Sequence, residues 1–139
     1  MAPNISTPEL LIKIGGIHLL ICGIFHLFFP KMFQWEKRLA DLSGENKFRI
    51  LNTLKLMNWN QLIFWLILAY ISLFFSDELL SSPLGKSILT IIVLFWIIRI
   101  LIFQPLYVGF KTGISKLQLL FFIPGLILFI IPWINVMFS

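Results

Sequence analysis

Residues 87–104 read SILTIIVLFWIIRILIFQ, eighteen positions with a single charge, Arg99. A helix needs about 20 apolar residues to cross the hydrocarbon core of a bilayer, because inside it every backbone N–H and C=O must be paired within the segment. The stretch meets that length when carried just past Pro105, and Pro83 and Gly85 close the loop before it. Three further stretches match it. The first runs from about Leu10 to Phe29 and stops at Pro30-Lys31, where proline disfavours continuation and lysine seeks the interface. The second has its apolar centre from Leu62 to Phe75 but starts near Asn46 or Lys47, since Ser43 followed by Glu45 and Asn46 reads as a helix start. The fourth, about Leu117 to Phe138, is uncharged and should kink at Pro124-Gly125 and Pro132, with Trp133 suited to the far interface. The expectation is an all-α integral membrane protein: one membrane domain over 1–139, an up-down bundle of four transmembrane helices spanning about 10–29, 47–75, 87–107 and 117–138.

Composition agrees. The chain is 59% hydrophobic and 12% charged, with a mean hydropathy of +0.96, far from the balance of a soluble domain. Fifteen Phe and five Trp suit helices that face acyl chains and headgroups. The net charge of +5 does not point to nucleic acid, because the basic residues fall between the apolar runs rather than in one stripe. Cys22 is the single cysteine, which excludes an intramolecular disulfide and any Cys-x-x-Cys site. The N-terminus lacks the basic leader and small-residue cleavage site of a secretory signal, so the first apolar segment is expected to stay as an uncleaved span.

Orientation follows from the short connections. Lys31, Lys37, Arg38, Lys47, Arg49 and Lys55 flank the first connection and Lys111 and Lys116 the third, against Lys13 and Lys86 on the opposite side. The positive-inside bias therefore predicts a cytoplasmic first and third connection, with both termini and the loop from Ser76 to Lys86 outside. Ile, Phe and Lys richness suggests an AT-rich bacterial genome and hence an inner-membrane location. In the first connection Phe33, Trp35, Leu39 and Leu42 alternate with Lys37, Arg38 and Asp41, as in a short interfacial helix whose charges meet anionic lipid headgroups. The expected partners are the bilayer, those headgroups, and a second copy or another membrane protein.

Arg99 is the strongest single signal. Twelve residues separate it from Ser87 and twelve from Lys111, which places it near mid-bilayer, where an unpaired Arg costs roughly 2.5–3.5 kcal/mol. No Asp or Glu occurs in any apolar span, so its partners must be carbonyls, amides, histidines, water or an anionic ligand. The planar donor fork suits an anion or carbonyl site; the alternative is a clamp satisfied by amides and backbone. On the first helix His18, Cys22 and His26 recur every four residues and form one polar stripe, fit for hydrogen bonding or proton relay. The two histidines lie about 12 Å apart along the axis and cannot share an ion, so no metal site is expected. On the second helix Asn52, Lys55, Asn58, Trp59, Asn60 and Gln61 precede the apolar centre. In an antiparallel arrangement His26, Asn58, Arg99 and Gln104 fall at similar depth, so the candidate polar cluster is Arg99, His26, His18, Asn52, Asn58 and Gln104. The alternative is that such amides bind helices together at about 0.6 kcal/mol per contact.

Phosphate-loop, Ser-His-Asp, paired-carboxylate and H-E-x-x-H patterns are absent from the sequence. The hydropathy pattern resembles that of many small bacterial four-helix membrane proteins, including the DoxX-like group, and the resemblance implies architecture alone. Three functions fit the residues: a binding or accessory protein for a lipid or small hydrophobic molecule with its polar head at Arg99; a membrane oxidoreductase or oxygenase using His18 or His26 with a cofactor the sequence does not name; and a structural or assembly subunit without ligand. The first is preferred. The absence of membrane carboxylates argues against a cation carrier, and the outer half and fourth helix read as scaffold.

Overall fold

The structure, a computed structural model, describes residues 6–108 and 113–138; Lys111, one of the charges counted for orientation, lies outside them. All the regular structure among the described residues is helical. The elements are α1 (Thr7–His26), α2 (Phe29–Met32), α3 (Trp35–Arg38), α4 (Gly44–Phe74), α5 (Ser76–Ser81), α6 (Pro83–Ile98), a π-helical segment (Arg99–Val108) and α7 (Gly113–Phe138). Four helical stretches are long and apolar enough to cross a membrane: Thr7–His26, Gly44–Phe74, Pro83–Leu106 and Lys116–Phe138.

Local chemistry sets the helix starts. The Ser6 side chain accepts from the Glu9 backbone N–H at the head of α1, with Pro8 and Glu9 in the first turn, satisfying an orphan donor and opposing the helix dipole. At α6 the Gly85 N–H donates to the Ser82 hydroxyl at 2.9 Å and Pro83 takes the first position, a cap worth about 1 kcal/mol. Ser43 precedes α4 as expected, but its side chain caps nothing; its carbonyl accepts from Lys47 instead, so α4 begins at Gly44. The first connection is not one amphipathic helix. Gln34 sits at φ 48°, in the left-handed region, which breaks the segment into the two short turns α2 and α3. The α-helical ladder after Ile98 widens to a π segment that contains Pro105. Proline has no N–H to donate and crowds the carbonyl four residues earlier, and the wider turn accommodates both faults.

Aromatic residues from α4, α6 and α7, with aliphatic residues from α1, fill the core. Trp65 and Trp96 are buried with ring centroids 5.2 Å apart, and Phe129, Ile12, Leu19, Leu89 and Ile92 are fully enclosed around them. Such ring pairs add about 0.5–1.5 kcal/mol beyond their buried area. Glycine makes the close approaches: a Cβ on Gly15 would strike the Phe129 ring, and one on Gly125 would strike the Trp96 indole. Side-chain pairs fix the register. Along α1 and α4, Gly16 lies against Ser72 and Leu73, Gly23 against Trp65, and His26 against Asn58. Along α6 and α7, Thr90 meets Trp133, Trp96 meets Gly125 and Arg99 meets Phe122. The outward faces remain apolar, with Ile67, Leu84, Ile91 and Leu106 among many exposed side chains; water does not hold so large an apolar surface in isolated molecules.

Candidate functional site

Arg99 stands where α6 passes into the π segment. It is the seventeenth of the 24 residues from Pro83 to Leu106 and shares two hollows with His26, the last residue of α1. It is therefore level with the end of α1 that leads into the basic connection, rather than halfway along its span as residue counting suggested. Its Nη2 donates to Gln61 Oε1 on α4 at 2.9 Å. The guanidinium lies 5.2 Å from the Phe95 ring centroid, 5.3 Å from Phe103 and 5.8 Å from Phe122. Phe95 and Phe103 are one helical turn either side of it, and Phe122 comes from α7. Each such contact is worth about 0.5–2 kcal/mol as the site dries.

Two histidine arrangements flank this group. His26 Nδ1 and Asn58 Oδ1 are 2.9 Å apart, and Asn58 Nδ2 donates to the His26 carbonyl at 2.8 Å. Asn58 thus holds both the ring and the last backbone carbonyl of α1. With Oδ1 accepting, the ring hydrogen is on Nδ1 and Nε2 is an acceptor. About two turns back along α1, His18 Nε2 is 2.9 Å from the Phe121 carbonyl, with Cys22 Sγ at 3.6 Å. A carbonyl only accepts, so Nε2 carries the hydrogen and the thiol is a secondary contact. Phe121 lies three residues before Pro124, inside α7; proline has no N–H for the Leu120 carbonyl and its ring crowds that turn.

The smaller hollow, of about 40 Å³, is lined by Cys22, His26, Trp65, Arg99, Gln118 and Phe122 among others. At roughly 10–15 Å³ per water it holds about three or four waters or one small polar group. The second hollow is an open groove of about 250 Å³ bounded by His26, Trp35, Leu54, Asn58, Gln61 and Arg99, with Met57 and Phe103. Two buried amide atoms, Gln61 Nε2 and Gln118 Oε1, have no hydrogen-bond partner among the described residues. Neither hollow has a carboxylate in its lining, and the ion pairs among the described residues are Lys13–Glu9, Arg49–Glu45 and Lys55–Glu36. A guanidinium has five N–H donors, and among the described residues one of them is taken, by a neutral amide. A unit anion about 4 Å away would gain about 4 kcal/mol at an effective dielectric constant of 20, more than the roughly 1.5–3 kcal/mol of a hydrogen bond to a charged group. Chemically, the arrangement is an electropositive hollow with aromatic walls.

Of the residues singled out in the sequence, His26, Asn58 and Arg99 come together. His18 lines neither hollow and touches only the smaller one, through Cys22. Gln104 is buried but also lines neither, and Asn52 is exposed on the outer face of α4 with Lys55 and Trp59. Gln61 belongs to the polar run read on the second helix but not to the expected cluster, and Gln118, Phe121 and Phe122 belong to neither. The last three lie on α7, so the fourth helix is part of the site and not only scaffold. Trp133 donates to Thr90 Oγ1 at 2.8 Å between α6 and α7. Compared with protein-family models, with curated proteins and with solved structures, the chain matches none.

Proposed function

We propose that the four long helices form an up-down bundle across a bacterial inner membrane, termini outside, and that the bundle binds an amphiphile whose anionic head sits at Arg99. The exposed apolar faces and the falling register between neighbouring helices support the bundle. The excess of Lys and Arg around the first connection supports the orientation. The observation that carries the function is Arg99 itself: a cation in an aromatic niche, bonded among the described residues to one neutral amide and facing an open groove whose described lining holds no carboxylate. The apolar walls Leu54, Met57 and Phe103 suit the first carbons of an acyl chain, and the mix of apolar wall and few convergent polar groups is that of ligand sites between helices.

The histidines favour this reading over a redox one. His18 is committed to the Phe121 carbonyl and His26 to Asn58, and among the described residues three potential metal-ligating side chains nowhere converge. The test is equilibrium binding of radiolabelled oleate to protein purified in neutral detergent, beside oleyl alcohol as the uncharged control. Wild type should bind oleate saturably, and Arg99→Gln should weaken it about 10- to 100-fold, the equivalent of one or two charge-assisted hydrogen bonds. Equal affinity of the two proteins for oleate would overturn the proposal.

A further inference from the structure

A third hollow, of about 380 Å³, lies beside the Arg99 groove and is lined by Lys31, Gln34, Trp35, Glu36, Lys37 and Lys55, with Pro30 and Leu51. Trp35 is a wall of both. So is α4: Leu51 and Lys55 line the basic hollow, and Leu54, Asn58 and Gln61 line the groove. From Lys55 to Gln61 is six residues, about 9 Å along the helix axis. The basic hollow is a product of the local fold, because the left-handed turn at Gln34 separates α2 from α3 and lets Lys31 and Lys37 face the same space. Lys55 lies 4.0 Å from Glu36, so one carboxylate stands against three lysines and the hollow keeps a net positive charge. Two cationic hollows thus stand one above the other on one helix, divided by one indole.

Resting on the function proposed for Arg99, we infer that these are two headgroup subsites for one lipid: a phospholipid carrying two phosphate groups, one held by Lys31, Lys37 and Lys55, the other by Arg99, with Trp35 packed against the linker between them. A single molecule that fills both gains from each cation set and loses its freedom once. The lysines are exposed and screened by salt, whereas Arg99 is partly buried and screened less. The two ends of the lipid therefore respond differently to ionic strength.

The experiment compares two probes on the purified full chain: a bis-phosphate lipid with two phosphatidyl groups on one glycerol, and phosphatidylglycerol, which has one phosphate. Wild type should prefer the first by about tenfold or more at low salt, with one molecule bound per chain and the preference fading at high salt. The triple variant Lys31→Gln, Lys37→Gln, Lys55→Gln alters exposed side chains only and should bring the bis-phosphate lipid down to the affinity of phosphatidylglycerol. Arg99→Gln should weaken both lipids. No preference in wild type, or a preference that survives the triple substitution, overturns the two-subsite inference while leaving the Arg99 site standing if Arg99→Gln still weakens phosphatidylglycerol. Unchanged binding of both lipids by Arg99→Gln overturns the inference and the proposed function together.

Discussion

Replacing Gln61 by leucine removes the one hydrogen bond that Arg99 makes among the described residues, and the response separates a binding arginine from a structural one. A hydrogen bond to a charged group contributes about 1.5–3 kcal/mol, so Gln61→Leu should cost about 2 kcal/mol. Arg99→Met also forfeits that bond and the contacts with Phe95, Phe103 and Phe122. It also relieves the chain of a cation in an apolar setting, a cost of roughly 2.5–3.5 kcal/mol at mid-span and less toward an end. Even with each ring contact at the low end of its range the losses come to about 3.5 kcal/mol, somewhat more than the relief, so the single variant should be less stable than wild type by no more than about 2 kcal/mol. The double variant should resemble Arg99→Met, because Gln61 then has no cation to serve. The cycle therefore predicts a coupling of about 2 kcal/mol, measured by reversible unfolding in mixed micelles with SDS as denaturant. A coupling below about 0.5 kcal/mol would mean that the Arg99–Gln61 bond is not formed. An Arg99→Met variant destabilised by more than about 3 kcal/mol would mean that Arg99 is a clamp and that the functional reading is mistaken. An Arg99→Met variant within that smaller loss, with ligand binding gone, is the pattern of a residue kept for function.

Three further outcomes follow from the packing and the charges. Asn58→Leu loses both bonds to His26 and should cost about 2 kcal/mol, whereas Asn52→Leu on the exposed face should stay within about 0.5 kcal/mol; the same micelle assay reads both. In Gly125→Ala the new Cβ would lie 2.5 Å from Trp96 Cζ2, and the indole is fully enclosed, so overpacking should cost about 1–3 kcal/mol and be partly relieved by adding Trp96→Phe. For orientation, a membrane-impermeant thiol reagent on intact cells should label Asp77→Cys and leave Ser43→Cys unlabelled, the native Cys22 being buried; the reverse pattern would invert the proposed topology.

The spans were legible because backbone pairing in an apolar medium demands length, and length is written directly in the apolar runs. The cluster was legible only as depth. Counting residues put His26, Asn58 and Arg99 at one level, but level says nothing of the direction a helical side chain takes. Asn52 is six residues from Asn58, about one and two-thirds turns, which swings it to the far side of α4. Gln61 is three residues from Asn58 and shares its face, so the rule that placed the histidine stripe on α1 would have found it. Phe95 and Phe103 four residues either side of Arg99 were open to the same argument. The α7 contribution was hidden for another reason: Phe121 acts through its backbone carbonyl, and Phe122 and Gln118 come from a stretch, Leu117 to Phe138, with no charge to draw attention. The break at Gln34 was not readable either, since a left-handed glutamine has no local sequence signature.

The central claim is that the groove beside Arg99 takes an anionic head, and an experimental density map of the protein extracted with its native lipids tests it most directly. The account predicts elongated non-protein density between Trp35, Leu54 and Phe103, ending in a headgroup within hydrogen-bonding distance of the Arg99 guanidinium. A map in which that guanidinium is saturated by protein carbonyls and amides, with the groove closed by Trp35, would contradict it.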